Sequence, residues 1–245
     1  MSPVNQLLVA LDVETAEHAR ALAGELRGVA GGFKIGKRLF TSCGPSLVED
    51  LAAKGDRIFL DLKYHDIPNT VAGAVTAATR LGVWMLDVHA SGGSAMMRAA
   101  RAAADEEAAR RSAPAPLVVA VTVLTSFNQQ TLEEVGVAGE LNAQVERLAT
   151  LAKQAGLDGV VASPLEISLI RAGVGATFTI VTPGIRSADE ASGDQQRTLS
   201  AADALAAGAD YLVVGRPIIA ASDPRRAAER ILADCRVTRL PSGAR

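Results

Sequence analysis

The sequence predicts an α/β protein folded as a single-domain (β/α)8 TIM barrel, and three observations lead there. Short apolar runs rich in Val, Ile and Leu alternate with Ala-, Leu-, Glu- and Arg-rich segments of helical period along the whole chain. Eight such strand-then-helix units fit into 245 residues, close to the roughly 250 of a typical barrel. Most of the isolated polar residues fall at or just past the ends of the apolar runs, which in a barrel is the rim that carries the site. A doubly wound open sheet, the other solution to a βαβα pattern, usually has fewer strands or a second domain at this length. No linker or low-complexity segment interrupts residues 1–245, which are read as one domain.

The first strand is predicted from Leu7 to Asp12, an apolar run closed by a carboxylate, and a helix of amphipathic spacing follows from Ala16 to Arg27. The second strand, Gly32 to Ile35, is short and carries Lys34; the next helix runs from Ser46 to Ala53. Arg57 to Leu62 makes the third strand through Ile58-Phe59-Leu60, with Asp61 and Lys63 at its end and a helix from Val71 to Arg80 after it. Trp84 to His89 is the fourth strand, and Ser94 to Ala108 its helix. The Pro-rich segment from Ser112 to Pro116 is a turn into the fifth strand, Leu117 to Val123, beyond which lie Thr125 and Ser126. A helix from Gln144 to Gln154 leads to the sixth strand, Gly159 to Ala162. The seventh, Thr177 to Thr182, is followed by Pro183-Gly184-Ile185-Arg186, and the eighth, Tyr211 to Val214, by Gly215-Arg216. A last helix spans Pro224 to Leu232, and Pro241 to Arg245 reads as a frayed tail.

Composition removes several classes of function. The net charge is -2, with Lys and Arg spread along the chain and no basic stripe for nucleic acid. Cys43 and Cys235 are far apart, without Cys or His at metal-ligand spacing, so neither a disulfide framework nor a zinc site is indicated. Residues 1–12 lack a basic leader, and no run reaches the roughly 18 apolar residues of a membrane span. The expectation is a cytoplasmic protein with reduced thiols and no membrane association.

The segment Asp61-Leu62-Lys63-Tyr64-His65-Asp66-Ile67-Pro68-Asn69-Thr70 carries the most chemistry. Residues two apart on a strand share a face, so Asp61 and Lys63 point the same way, with Asp66 in the loop beyond. Together with Lys34 they form a set of nearly cancelling charges that tolerates burial only if its members pair. A structural ion-pair network is one reading. A divalent metal on Asp61 and Asp66 is another, although Lys63 and Lys34 already supply positive charge there. A Schiff-base lysine would need Lys63 neutral, whereas flanking carboxylates keep it an ammonium. Such an ammonium is suited to protonating a carbanion, and Asp61 to pressing against an anionic group that leaves as the carbanion forms. Decarboxylation does both.

At the end of the eighth strand Gly215 and Arg216 occupy the position where barrels commonly bind phosphate. Arg186 and Gln195 join them, the latter in a polar stretch from Ser187 to Arg197 long enough to close over the site. Arg197 has no positional argument of its own. His65 and His89 stand near the rim, where a hydrogen-bonded structural histidine is the commoner case.

These segments, in this order, resemble the orotidine 5'-phosphate decarboxylases of the bacterial single-domain branch. Leu11-Asp12, Phe33-Lys34-Ile35-Gly36, the run from Asp61 to Thr70, Val88-His89-Ala90, Leu124-Thr125-Ser126, Val181-Thr182-Pro183-Gly184-Ile185-Arg186, Gly193-Asp194-Gln195 and Val214-Gly215-Arg216-Pro217 carry the likeness over nearly the whole chain. The resemblance implies decarboxylation of orotidine 5'-monophosphate to UMP with neither metal nor cofactor. It implies Lys63 as the acid at C6, with Lys34, Asp61 and Asp66 completing its charge network and Lys34 and Asp12 near the ribose. Thr125 and Pro183 would lie near the pyrimidine, and Arg186, Gln195, Gly215 and Arg216 near the phosphate. Asp66, Ile67 and Thr70 would enter the neighbouring subunit's site, giving a homodimer with shared active sites. A sister group of magnesium-dependent sugar-phosphate lyases shares D-x-K-x-x-D, but is similar only up to that point. It has an acidic residue where this chain has Lys34 and lacks the Ile67-Pro68-Asn69-Thr70 continuation. A non-catalytic nucleotide-binding barrel is the remaining alternative.

Overall fold

The computed structural model describes residues 2–185 and 199–237. Eight parallel strands close into a barrel in chain order: β1 Leu7–Ala10, β2 Gly32–Gly36, β3 Ile58–Tyr64, β4 Met85–His89, β5 Leu117–Val121, β6 Gly159–Val161, β7 Thr179–Thr182 and β8 Tyr211–Val214. β8 returns to β1 with Leu7 opposite Leu212 and Val9 opposite Val214. Each strand is buried on both faces, which is why it reads as a continuous apolar run rather than an alternating one. The period of two is still present in the packing. Leu8, Phe59, Met85, Val119, Val161, Val181 and Val213 fill the barrel interior, while Leu7, Leu60, Leu86, Val118, Val160, Ile180 and Leu212 face the helices.

At the N-terminal end the interior is closed by aromatic side chains around a cation. The Arg57 guanidinium lies 3.6 Å from the centre of the Trp84 ring, Trp84 meets Tyr211 edge-on, and Arg57 donates to the Tyr211 hydroxyl at 3.3 Å. Outside the barrel two Asp residues repeat one bracing device. Asp158, just before β6, accepts the Val118 amide and an ion pair from Arg101 at 2.6 Å. Asp210, just before β8, accepts the Ile180 amide and pairs with Arg171, which also donates to the Gly208 and Phe178 carbonyls. Each Asp thus replaces a missing ladder partner and ties a helix to two strands.

The predicted boundaries hold to within two residues for every strand, and one of the shifts is informative. β3 runs on to Tyr64 instead of ending at Leu62, because it pairs with β4 again after a register shift: Leu60 faces Leu86 and Tyr64 faces Val88. The helix after it is Pro68–Arg80, three residues earlier than the periodicity places it. Pro68 occupies the first turn, where its missing N–H loses no bond. Helices of about two turns or fewer, such as Lys37–Cys43, Gln129–Glu134, Ile167–Val174 and Ala201–Ala207, are too short for their period to stand out. The segment from 186 to 198, with Arg186, Gln195, Arg197 and the proposed closing loop, lies outside the described residues, as does the predicted tail. Among the described residues no helix is long and apolar enough to cross a membrane.

Candidate active site

Lys34 is the buried centre of the cluster, 8% exposed in the middle of β2. Its ammonium lies 3.3 Å from Asp12 Oδ1 and 3.3 Å from Asp61 Oδ2, bridging the ends of β1 and β3. Space for it comes from Gly36, where a Cβ would stand 2.9 Å from Lys34 Nζ. On β3 the Lys63 ammonium pairs directly with Asp61 Oδ1. The shared face expected of these two residues is present, but not through a regular strand: Lys63 has φ 51, inside the register shift.

The second carboxylate near Lys63 within this chain is Asp87 of β4, fully buried. Asp87 Oδ1 accepts the Lys63 backbone N–H at 2.7 Å, and Oδ2 stands 3.7 Å from Lys63 Nζ. Asp66, in the loop beyond β3, is exposed and accepts the Ile67 N–H on Oδ1. Sequence reasoning missed Asp87. One signal was available: a lone acidic residue inside the run Met85-Leu86-Asp87-Val88 is costly to bury without a partner.

Burial alone would raise the Asp61 pKa, but the Lys34 and Lys63 ammoniums and hydrogen bonding to Asp87 and Lys63 hold it below the ordinary carboxylate value. For Lys63 burial works against the charged form and is outweighed by Asp87 and Asp61, so its pKa is raised. Asp87 moves well upward through burial and the negative charge of Asp61. Burial, helped by Asp87, pushes the Tyr64 phenol up to about 12. His89 stacks on His65 with ring centres 5.3 Å apart, and burial, then repulsion from His65 and the lysines, lowers its pKa to about 4.

A cavity of about 590 Å³ opens above this cluster, within the range of small-molecule sites. Asp12, Lys34, Asp61 and Lys63 line one side of it. Thr125 and Pro183 line another, and Gly215 and Arg216 stand at the end of β8. Phe59, Val121, Val161 and Val213 make an apolar floor. Ile67 and Thr70 are exposed outside it, with Ile67 at 67% the most exposed large apolar side chain among the described residues. Neither His65 nor His89 lines it. Among the described residues no three His, Cys, Asp or Glu side chains are grouped to hold a metal ion, and the place between the carboxylates of Asp12 and Asp61 is taken by Lys34.

Fold and site together define a (β/α)8-barrel enzyme whose paired ammonium and carboxylate groups sit on the C-terminal rim, at the mouth of an apolar-floored cavity. The chain belongs to the orotidine 5'-phosphate decarboxylase / HUMPS family, whose model matches residues 5–231. Among curated relatives, the orotidine 5'-phosphate decarboxylase of Halorhodospira halophila is 54% identical over 229 residues, 94% of this chain and 95% of that one. That of Syntrophotalea carbinolica is 52% identical over 227 residues, 93% of each chain. The crystal structure of orotidine 5'-phosphate decarboxylase from Lactobacillus acidophilus superposes with a TM-score of 0.82 at 36% identity, covering 94% of this chain and 98% of the other.

Proposed function

We propose that this chain decarboxylates orotidine 5'-monophosphate to UMP and CO2 in pyrimidine nucleotide synthesis, with Lys63 as the acid. The observation that carries the reading is the Lys63 ammonium, paired directly with Asp61 at the cavity mouth and kept protonated there. The bond from C6 to the carboxylate breaks, its electron pair stays on C6, and a proton from Lys63 Nζ completes UMP. Solvent then returns a proton to the amine. Asp61 faces the substrate carboxylate. At about 4 Å and an effective dielectric near 20, their repulsion is on the order of 4 kcal/mol, and it vanishes as CO2 leaves. Since about 1.4 kcal/mol is a factor of ten in rate, that term alone is kinetically significant.

In this reading Lys34 and Asp12 hold the ribose while Lys34 also braces Asp61. Thr125 and Pro183 bound the pyrimidine, and Arg186, Gln195, Gly215 and Arg216 bind the phosphate. The exposed Asp66, Ile67 and Thr70 belong to the site of a second copy, so the enzyme is a cytoplasmic homodimer with shared active sites. No metal or cofactor takes part.

The test is the loss of orotidine 5'-monophosphate absorbance in the presence of EDTA. Turnover that resists EDTA is expected. Turnover restored only by magnesium would point to the sugar-phosphate lyase branch, and UMP binding without turnover to a nucleotide-binding barrel.

A further inference from the structure

One ionisable group of the cluster has no part in the reaction as written. Asp87 does not line the cavity; it lies beneath Lys63, fully buried. Between the pairs Leu60–Leu86 and Tyr64–Val88, three residues of β3 face Asp87 alone on β4. Such an insertion leaves strand amides without ladder partners. At Lys63 it also imposes φ 51, a region that costs a residue with a side chain on the order of 1 kcal/mol or more. Asp87 Oδ1 supplies the acceptor that the ladder no longer offers, at 2.7 Å from the Lys63 nitrogen.

The second oxygen tells more. Asp87 Oδ2 receives no hydrogen bond from any donor group among the described residues, and at 3.7 Å the Lys63 ammonium is beyond hydrogen-bonding distance. The Asp61 and Asp87 carboxyls approach the same Lys63 ammonium, Asp61 in direct contact and Asp87 Oδ2 at 3.7 Å, and hydrogen bonding between the two lowers the Asp61 pKa and raises that of Asp87. Two buried carboxylates in contact do not both stay ionised. Asp61 has two ammonium partners, Lys34 and Lys63, so the proton belongs on Asp87. Charge balance agrees. With Asp87 neutral, Lys34 and Lys63 are matched by Asp12 and Asp61, whereas an ionised Asp87 would add a negative charge beneath a site for a substrate that carries both a carboxylate and a phosphate.

We propose that Asp87 is a positioning residue for the decarboxylation: as a neutral acid it holds the Lys63 amide in the bulge with one oxygen and donates a hydrogen bond to Asp61 with the other. It thereby fixes both the proton donor and the carboxylate that opposes the substrate, against a repulsion that would turn Asp61 aside. The proposal rests on the decarboxylase reading of the site.

Asparagine reproduces both bonds, accepting through Oδ1 and donating through Nδ2; leucine of similar size makes neither. Asp87→Leu is expected to lower kcat about a thousandfold with the dissociation constant of UMP changed by less than about fivefold, while Asp87→Asn returns kcat to within about tenfold of the unsubstituted enzyme. Equal loss in both variants would overturn the neutral-donor role, and a fully active Asp87→Leu the positioning role. If the leucine variant does not fold, infrared difference spectra of the unsubstituted protein against Asp87→Asn decide: a neutral carboxyl C=O stretch near neutral pH is expected, and its absence sinks the proposal. If the unsubstituted enzyme does not turn over orotidine 5'-monophosphate, the decarboxylase reading fails, while the infrared band still reports on Asp87.

Discussion

At the scale of single residues, the site depends on where two ammonium groups are held. Lys63→Ala removes the amine paired with Asp61 Oδ1, the assigned proton donor, and should reduce turnover at least about a thousandfold while UMP still binds; single-turnover and binding measurements separate the two effects. Gly36→Ala is a gentler probe. The added methyl meets the end of the flexible Lys34 side chain at 2.9 Å and Asp12 Oδ1 at an ordinary 3.5 Å, so stability should change by less than about 1 kcal/mol. Yet Lys34 Nζ must leave its place between Asp12 and Asp61, and kcat/KM should fall about tenfold or more. Asp12, Asp61 and Lys63 were legible in the sequence because they stand at strand ends, which converge in a barrel, and Lys34 because it lies in a strand short enough to put it near the same rim. Asp87 was not, because a single carboxylate in a strand has no spacing that marks it, and its partner amide exists only after β3 bulges.

At the scale of elements, eight strands could be placed from apolar runs because both faces of each are buried, so the pattern is nearly unbroken in every one. What no single segment encodes is register. The shift between Leu60 and Tyr64 depends on how β3 meets β4, and it changes which side chains oppose each other. It also has a measurable pH signature. Asp87, facing Asp61, Lys63 and Tyr64 from β3, has its pKa raised in the folded protein. The stability contributed by its neutral form is complete below the unfolded value near 4 and is lost as pH rises toward the folded one. Asp87→Asn has no such loss. The difference in melting temperature in favour of Asp87→Asn should therefore widen from pH 4 to pH 8, and a constant difference would contradict the shift.

At the scale of the whole molecule, the separation between Lys63 in the cavity and Asp66 on the surface sets up a complementation experiment. If Asp66 serves the neighbouring copy, a hybrid of Lys63→Ala and Asp66→Ala subunits has one site with both defects and one with neither. Mixing the two inactive variants under exchange conditions should restore about a quarter of the activity, since about half the dimers are hybrids with one intact site each. No recovery would return Asp66 to its own chain. Such sharing is suggested in the sequence only by the family likeness, because which copy a loop serves is a property of the assembly and not of local sequence.

The packed lower end of the barrel also constrains traffic. Arg57 wedged against Trp84 and Tyr211, beneath the layer containing Phe59, Met85, Val119 and Val181, closes the lower end of the cylinder among the described residues. With that end closed, CO2 and UMP would both depart through the opening that admitted the substrate. The small neutral molecule must slip past the nucleotide or wait for it, and agents that hold the mouth shut should trap both products together.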